Sequence, residues 1–269
     1  MSQLKLNTIS QREDKTIHAN HLHLKIKGKS INHVIINTMR RIMLEELPGY
    51  GFDINNISIK SNTSVYNNDY LRNRIENLPV PNIENKFDLD EYESIRNTIL
   101  NKIIEDEDEI NNYHLLNMYL KKKNDSDQII NITSDDCEFF LKGKKVKSIY
   151  NNPILICKLK PSEEIELSSV INKSIPLDHT RYSLVGISCF EQINEDEYLF
   201  KYENRDQISN KEIFNRTCQI IIFRLKHFLS KIENKKFSSN NHGKIILENE
   251  NHTLGNLISG ASTPAEAIA

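Results

Sequence analysis

The stretch from Ser209 to Asn234 most constrains what this chain can fold into. Ser209 and Glu212 form a capping-box signature, and Ile213, Phe214, Ile221, Leu225, Phe228, Leu229 and Ile232 follow at helical spacing. About 25 residues of helix reach about 38 Å at 1.5 Å per residue, roughly twice the ordinary helix of a globular domain. An apolar stripe of that length demands a large covering surface, from this chain or from another.

A second helix stands near the start. Ser30 can cap it, Val34, Ile35, Met39, Ile42, Met43 and Leu47 run through it, and Pro48-Gly49 stops it. Met39, Ile42, Met43 and Leu47 line one buried stripe, with Arg40, Arg41, Glu45 and Glu46 flanking it. Ahead of it, residues 15 to 29 alternate as a half-buried strand, with Leu22, Leu24 and Ile26 on one side and His21, His23, Lys25 and Lys27 on the other. Strand character follows at Phe52 to Val65, Ile129 to Thr133, Pro153 to Leu159, Ile165 to Val170, Tyr182 to Phe190 and Tyr198 to Tyr202, with one more strand at Lys244 to Leu247. A short helix is expected at Asp69 to Ile75. Residues 84 to 128 are the most polar stretch, with one helix from Glu91 to Ile104, the acidic run Glu105 to Glu109 and the basic patch Lys121-Lys122-Lys123. They read as a solvated insertion.

The chain has 269 residues, is 38% hydrophobic and 27% charged, and carries a formal net charge of -2, which excludes disulfide-dense, collagenous and wholly disordered classes. A near-neutral charge also argues against a protein that grips DNA or RNA by itself. No apolar run approaches the roughly 20 residues that span a bilayer, so no membrane association is expected. Cys137, Cys157, Cys189 and Cys218 include no C-x-x-C pair, which speaks against a zinc ribbon or iron-sulfur cluster and for reduced, buried thiols. His18, His21 and His23 have no carboxylate close by and carry no metal expectation.

With these elements in place, a family resemblance appears. Asn37-Thr38-Met39-Arg40-Arg41-Ile42-Met43-Leu44-Glu45-Glu46-Leu47-Pro48 resembles the opening helix of the third-largest subunit of eukaryotic RNA polymerase II, shared with its archaeal counterpart and with the N-terminal domain of bacterial alpha. Phe52-Asp53-Ile54, Ser61 to Val65, Asp69 to Pro79, Ile132 to Asp136, Pro153 to Leu159 and Asp178 to Val185 resemble further segments of this RNA polymerase alpha-like family, in the same order. Glu250-Asn251-His252-Thr253-Leu254-Gly255-Asn256-Leu257-Ile258 is similar to the signature of the eleventh subunit and of its archaeal counterpart, so the whole looks like the fused subunit of some large DNA viruses.

The resemblance implies an α+β fold: an alpha-like dimerisation domain, residues 1–49 and 183–236, split by an inserted mostly antiparallel β domain, residues 50–182. Residues 244–258 would begin a small-subunit-like segment and 259–269 an atypical tail. It implies a noncatalytic assembly subunit of a multisubunit DNA-directed RNA polymerase that scaffolds the large catalytic subunits, with no cofactor, no metal and no direct specific DNA binding. A small eleventh-subunit-like partner would join in trans or fused in a longer chain.

The implied subunit interface comprises Met39, Arg40, Arg41, Ile42, Met43, Leu47, Arg72, Arg74, Ile221, Leu225, Phe228, His252, Thr253, Leu254, Gly255 and Asn256. Arginines beside an apolar stripe suit bidentate pairing with carboxylates of a neighbour. Thr253 is expected to cap a helix and Gly255 to permit close helix approach. The expected location is intracellular: host cytoplasm or virion for a viral protein, otherwise nucleus. Four of the five alanines fall in the last nine residues, where the small-subunit fold should continue, so the chain reads as a shortened form of a longer fusion. Two other functions are weighed: a thiol hydrolase using Cys157 or Cys189 with His179 and Asp178, and a stand-alone nucleic-acid-binding module.

Overall fold

The structure, a computed structural model, describes residues 5–14, 19–81, 83–101, 115–233, 250 and 252–262. It mixes helices with antiparallel sheets. The expected strand at Lys244 to Leu247 and the acidic run Glu105 to Glu109 lie outside the described residues.

Strands β1 (Lys5–Asp14), β2 (Ala19–Lys27), β10 (Val185–Asn194) and β11 (Glu197–Asn204) form a four-stranded sheet in the order β1-β2-β11-β10. Register sets Leu22 opposite Tyr202, Leu24 opposite Phe200 and Ile26 opposite Tyr198, so each strand contributes alternate residues to one buried face. Helices α1 (His33–Glu45) and α4 (Asn210–Glu233) share the core beneath it: Ile36, Met39, Ile42, Met43 and Leu47 from α1 and its exit pack with Ile213 and Ile220 of α4. The cap of α1 is Asn32, not Ser30. Ile31 N–H bonds the carbonyl of Gly28, and that turn delivers Asn32 in an extended conformation from which Oδ1 accepts Ile35 N–H at 3.0 Å.

A second core lies under a five-stranded sheet ordered β3-β9-β4-β6-β7, built from β3 (Gly49–Asn62), β4 (Leu116–Lys123), β6 (Cys137–Leu141), β7 (Lys144–Val146) and β9 (Glu164–Ser174). The pair β5 (Ile130–Thr133) and β8 (Leu155–Leu159) and helix α2 (Asn68–Glu76) close it with Ile132, Ile156, Leu159, Leu71 and Ile75. The basic patch belongs to this sheet and not to a solvated insertion. Leu116, Met118 and Leu120 of β4 point inward, while Lys121, Lys122 and Lys123 pair with Glu166 (2.7 Å), Asp136 (3.0 Å) and Asp125 (3.5 Å).

Helix α3 (Leu89–Asn101) corrects the polar reading of the insertion's first part. Tyr92 is buried in the first core, and Phe87, Leu89, Ile95 and Ile99 pack against it. Ile175 joins the same core, so burial does not follow a cut at residues 50 and 182. The two cores are pinned together by Gln207. Its side-chain amide donates to the carbonyls of Tyr50 and Val80 (both 3.0 Å) and accepts from Tyr50 N–H (2.7 Å) and Asn85 Nδ2 (3.2 Å). At the crossing, Gly49 admits a backbone contact: an added Cβ would stand 2.1 Å from the carbonyl oxygen of Tyr182.

Candidate subunit interface

The expected interface residues separate into four groups. Met39, Ile42, Met43 and Leu47 are covered by this chain's own sheet and α4. They belong to this chain's own core, each at most 7% exposed. Arg40 and Arg41 sit on the flank of α1, half-buried: Arg40 Nε donates to Asn37 Oδ1 at 3.0 Å and Arg41 Nη2 to Glu45 Oε2 at 3.4 Å. These short-range partners lie on the same helix and leave both guanidiniums at the surface. Arg72 pairs with Asp69 at 3.2 Å, and Arg74 donates to the carbonyl of Leu155, tying α2 to β8.

The third group lies on α4. Ile213, Arg216, Thr217, Ile220 and Arg224 face inward. A flanking strip, about 100° round the helix, carries Phe214, Cys218, Ile221, Leu225, Phe228 and Ile232, all half-buried and spaced 4-3-4-3-4, the spacing of a helix-packing seam, and Phe214 and Ile221 of it pack against the first core. Beside it Ile222 and Leu229 are 52% and 54% exposed. Helix α4 therefore has a fully buried face and, beside it, an apolar strip that this chain covers only in part.

The final helix, α5 (His252–Ser262), crosses α1. Thr253, Leu254 and Leu257 are buried, whereas His252, Gly255 and Asn256 are exposed. Two expectations change. Thr253 lies inside the helix, buried at its second position, and is not its cap. Close approach occurs at Gly260, where an added Cβ would stand 2.9 Å from Val34 Cγ2; nothing comes within 4 Å of such a Cβ at Gly255. Asn32 Nδ2 donates to the Gly260 carbonyl at 3.4 Å, anchoring the far end of α5 beside the cap of α1.

Sequence reasoning missed the buried charges that join these helices. Glu46, at the exit of α1, accepts from Arg224 Nη1 at 2.6 Å and from the hydroxyl of Tyr92, with Arg96 Nε at 3.6 Å. Glu250 accepts from Arg96 Nη2 at 3.2 Å and from Arg224 Nη2. Burial alone would lower the Arg224 pKa, but the two carboxylates outweigh it and raise it. Burial, then the charge of Glu46, raises that of Tyr92, which keeps its proton to donate. A third buried arginine, Arg216, is 2% exposed, bonds the carbonyl of Asn85 and the Glu212 carboxylate, and lies 5.2 Å over the Phe87 ring. Glu212 thus serves Arg216 as well as the start of α4, where Ser209 Oγ accepts Glu212 N–H at 3.3 Å.

The residues of the thiol-hydrolase alternative are committed elsewhere. Burial pushes the Cys157 thiol up to about 11 and Cys137 up to about 12, so both are protonated near neutral pH. Cys189 is exposed on β10. His179 Nδ1 accepts Arg181 N–H at 3.2 Å and Asp178 accepts Ser174 Oγ at 3.1 Å, which holds both within their own turn. Among the described residues, no group of three or more His, Cys, Asp or Glu side chains is placed to hold a metal ion, and no helix is long and apolar enough to cross a membrane.

No family model matches the chain. It is similar to a protein of Acanthamoeba polyphaga mimivirus named as a DNA-directed RNA polymerase subunit, 27% identical over 288 aligned residues that cover 98% of this chain and 79% of the relative. It is also similar to subunit 3 of the DNA-directed RNA polymerases II, IV and V of Arabidopsis thaliana. That match is 23% identical over 203 residues and covers 71% of this chain and 59% of the relative.

Proposed function

We propose that this chain is a noncatalytic assembly subunit of a multisubunit DNA-directed RNA polymerase, scaffolding the large catalytic subunits for transcription. The observation that carries it is helix α4: a seam from Phe214 to Ile232, only half covered by its own chain, on a protein similar over nearly its whole length to an RNA polymerase subunit. A helix face of this kind is worth keeping apolar only if another helix packs on it. The partner for the seam is a small eleventh-subunit-like protein, in trans or fused in a longer chain through the small-subunit-like segment 244–258. The split domain organisation, 1–49 with 183–236 around 50–182 in chain order, belongs to the same proposal, with Tyr92 and Ile175 of the insertion lending side chains to the first core. Arg40 and Arg41, with Arg72 and Arg74 as a secondary patch, present guanidiniums to carboxylates of a large subunit. The viral relative supports action inside an infected cell, in its cytoplasm or packaged in the virion.

The test is co-expression with the large subunits of the same source. Arg40→Ala with Arg41→Ala leaves the fold intact, because neither side chain is in the core, and lowers recovery of the chain with a large subunit by tenfold or more. Full recovery of the complex by a folded double variant refutes the docking role. Failure of the wild-type chain to co-purify with any polymerase subunit refutes the function.

A further inference from the structure

Strands β4, β6 and β9 turn alternate residues away from the second core. On that outer face Asn117, Tyr119, Phe140 and Ser168 line a groove of about 480 Å³, with Lys60 and Glu166 at one end. Register makes this one patch: Asn117 stands opposite Phe140, and Tyr119 stands between Glu138 and Ser168. The Tyr119 and Phe140 rings lie 5.6 Å apart at 86°, an aromatic corner whose Tyr119 side is 46% exposed. Beside the corner, the side-chain oxygen of Asn117 is buried and accepts no hydrogen bond among the described residues. An acceptor left so is a standing cost that a bound donor relieves. About 13 Å further along β4, Lys121 and Lys60 share the Glu166 carboxylate at 2.7 and 3.6 Å. Lys60 is the looser of the two, with 70% of its side chain exposed, and can turn to another anion. The other carboxylate of the groove, Glu138, is paired with Lys145.

We propose that this groove binds one nucleotide unit, with its base in the Tyr119–Phe140 corner, an N–H on the edge of the base donated to Asn117 Oδ1, and its phosphate turned toward Lys60. Each feature asks for part of that ligand. The perpendicular rings take a flat ring that stacks on one and abuts the other, and stacking is open to every base because each has a π-face. The unpaired amide oxygen asks for a donor in the plane of that ring. The lysine end asks for an anion. No single amino-acid side chain unites a flat ring, an in-plane donor and an anion, whereas a nucleotide does. Charge contributes little, because the two lysines already share a carboxylate, so the groove orients one unit of a strand and does not grip the strand. That agrees with a net charge of -2. A free nucleotide and one residue of a single strand present the same chemistry here.

The experiment uses the full chain and a labelled single-stranded hexamer of adenylate RNA, followed by fluorescence anisotropy, with AMP, ribose 5-phosphate and an acidic tyrosine peptide as competitors. Tyr119→Ser weakens hexamer binding at least tenfold and Asn117→Leu about fivefold, both at an unchanged urea midpoint. Tyr70→Ser, which removes another exposed tyrosine, leaves binding unchanged. Raising salt from 50 to 200 mM weakens binding by less than about tenfold. AMP that displaces the hexamer at equal concentration assigns the groove to free nucleotides, and AMP that needs a tenfold excess or more assigns it to a strand; both support the proposal. Ribose 5-phosphate competing as well as AMP overturns the role of the base, and equal binding by wild type and a folded Tyr119→Ser overturns the location. Displacement by the acidic peptide and not by AMP makes the face a protein-docking surface, which overturns the nucleotide. So does the absence of any binding of hexamer or AMP at millimolar concentration. All of this is read on the isolated chain, so it stands or falls apart from any co-purification with polymerase subunits.

Discussion

Replacing Glu46 by leucine is expected to destabilise the first core more than any apolar truncation of similar size. The four groups Glu46, Glu250, Arg96 and Arg224 balance to zero charge in a site where every side chain is at most 11% exposed. Glu46→Leu removes the carboxylate that Arg224 and the Tyr92 hydroxyl bond, and Arg224→Met removes a guanidinium that both carboxylates bond, so each single change breaks a buried pair from one side. Breaking a buried pair from one side costs about 3–5 kcal/mol, whereas replacing both sides with packed apolar groups is often close to neutral. The double variant keeps one matched pair, Arg96 with Glu250 at 3.2 Å. It should therefore be more stable than either single variant, which requires a coupling energy above about 3 kcal/mol. In urea, with a slope of about 3 kcal/mol/M, each single variant moves the midpoint down by about 1–1.7 M at unchanged slope. Should the two cores unfold separately, the shift appears in the transition that carries the first. Additive single and double variants, or a Glu46→Leu shift below about 1 kcal/mol, would refute the balanced cluster.

The remaining expectations are simpler. Gly49→Ala drives a methyl group into the Tyr182 carbonyl, 2.1 Å away, and should cost about 3 kcal/mol, seen as a melting temperature lower by about 6–12 °C. Gln207→Ala strands the amide and carbonyl of Tyr50 and the carbonyl of Val80 at the junction of the cores. It should destabilise by about 2–4 kcal/mol, and limited proteolysis should cut near residues 80–85 in the variant first. Thiol labelling at pH 8 should modify Cys189 first. Cys157, raised to about 11 by burial, has roughly a thousandth of its population as thiolate at that pH, and labelling as fast as Cys189 would contradict its burial. Asp136, partly buried yet held below the usual carboxylate range by the Thr133 N–H and Lys122, contributes stability above pH about 4 that is lost as pH falls further. Asp136→Asn should flatten that acid limb of the urea midpoint against pH.

What the sequence revealed and concealed follows from how local each signal is. Strand β2 is legible because one face is wet and the other dry, so its period of two is written in Leu22, Leu24 and Ile26. Strand β4 hides the same alternation, Leu116, Met118 and Leu120, against a run of three lysines whose acidic partners come from β9 and from the turns at 125 and 136. The glycines of α5 show the limit of motif matching. Gly255 matches a signature, but five residues further on the helix has turned about 140°, and it is Gly260 that meets α1.

The buried charges left a trace that hydropathy alone misreads. Glu46 continues the stripe of Ile42, Met43 and Leu47, and Arg216 and Arg224 fall on the same face as Ile213, Thr217 and Ile220. A charged residue on an apolar stripe indicates either an exposed face or a buried ion with a distant partner. Glu46 and Arg224 are 178 residues apart, so nothing local decides between the two. The consequence for α4 runs against the usual order of a surface helix. Its inward face includes two arginines and a threonine, and the half-buried seam beside it reads Phe214, Cys218, Ile221, Leu225, Phe228 and Ile232. A chain that met only water on that side would gain by the reverse arrangement, since exposed apolar seams promote association while solvated arginines avoid the desolvation cost. The arrangement is stable on both counts if the buried arginines are neutralised within the chain, as Glu46, Glu212 and Glu250 do, and the seam is covered by a second helix from outside it.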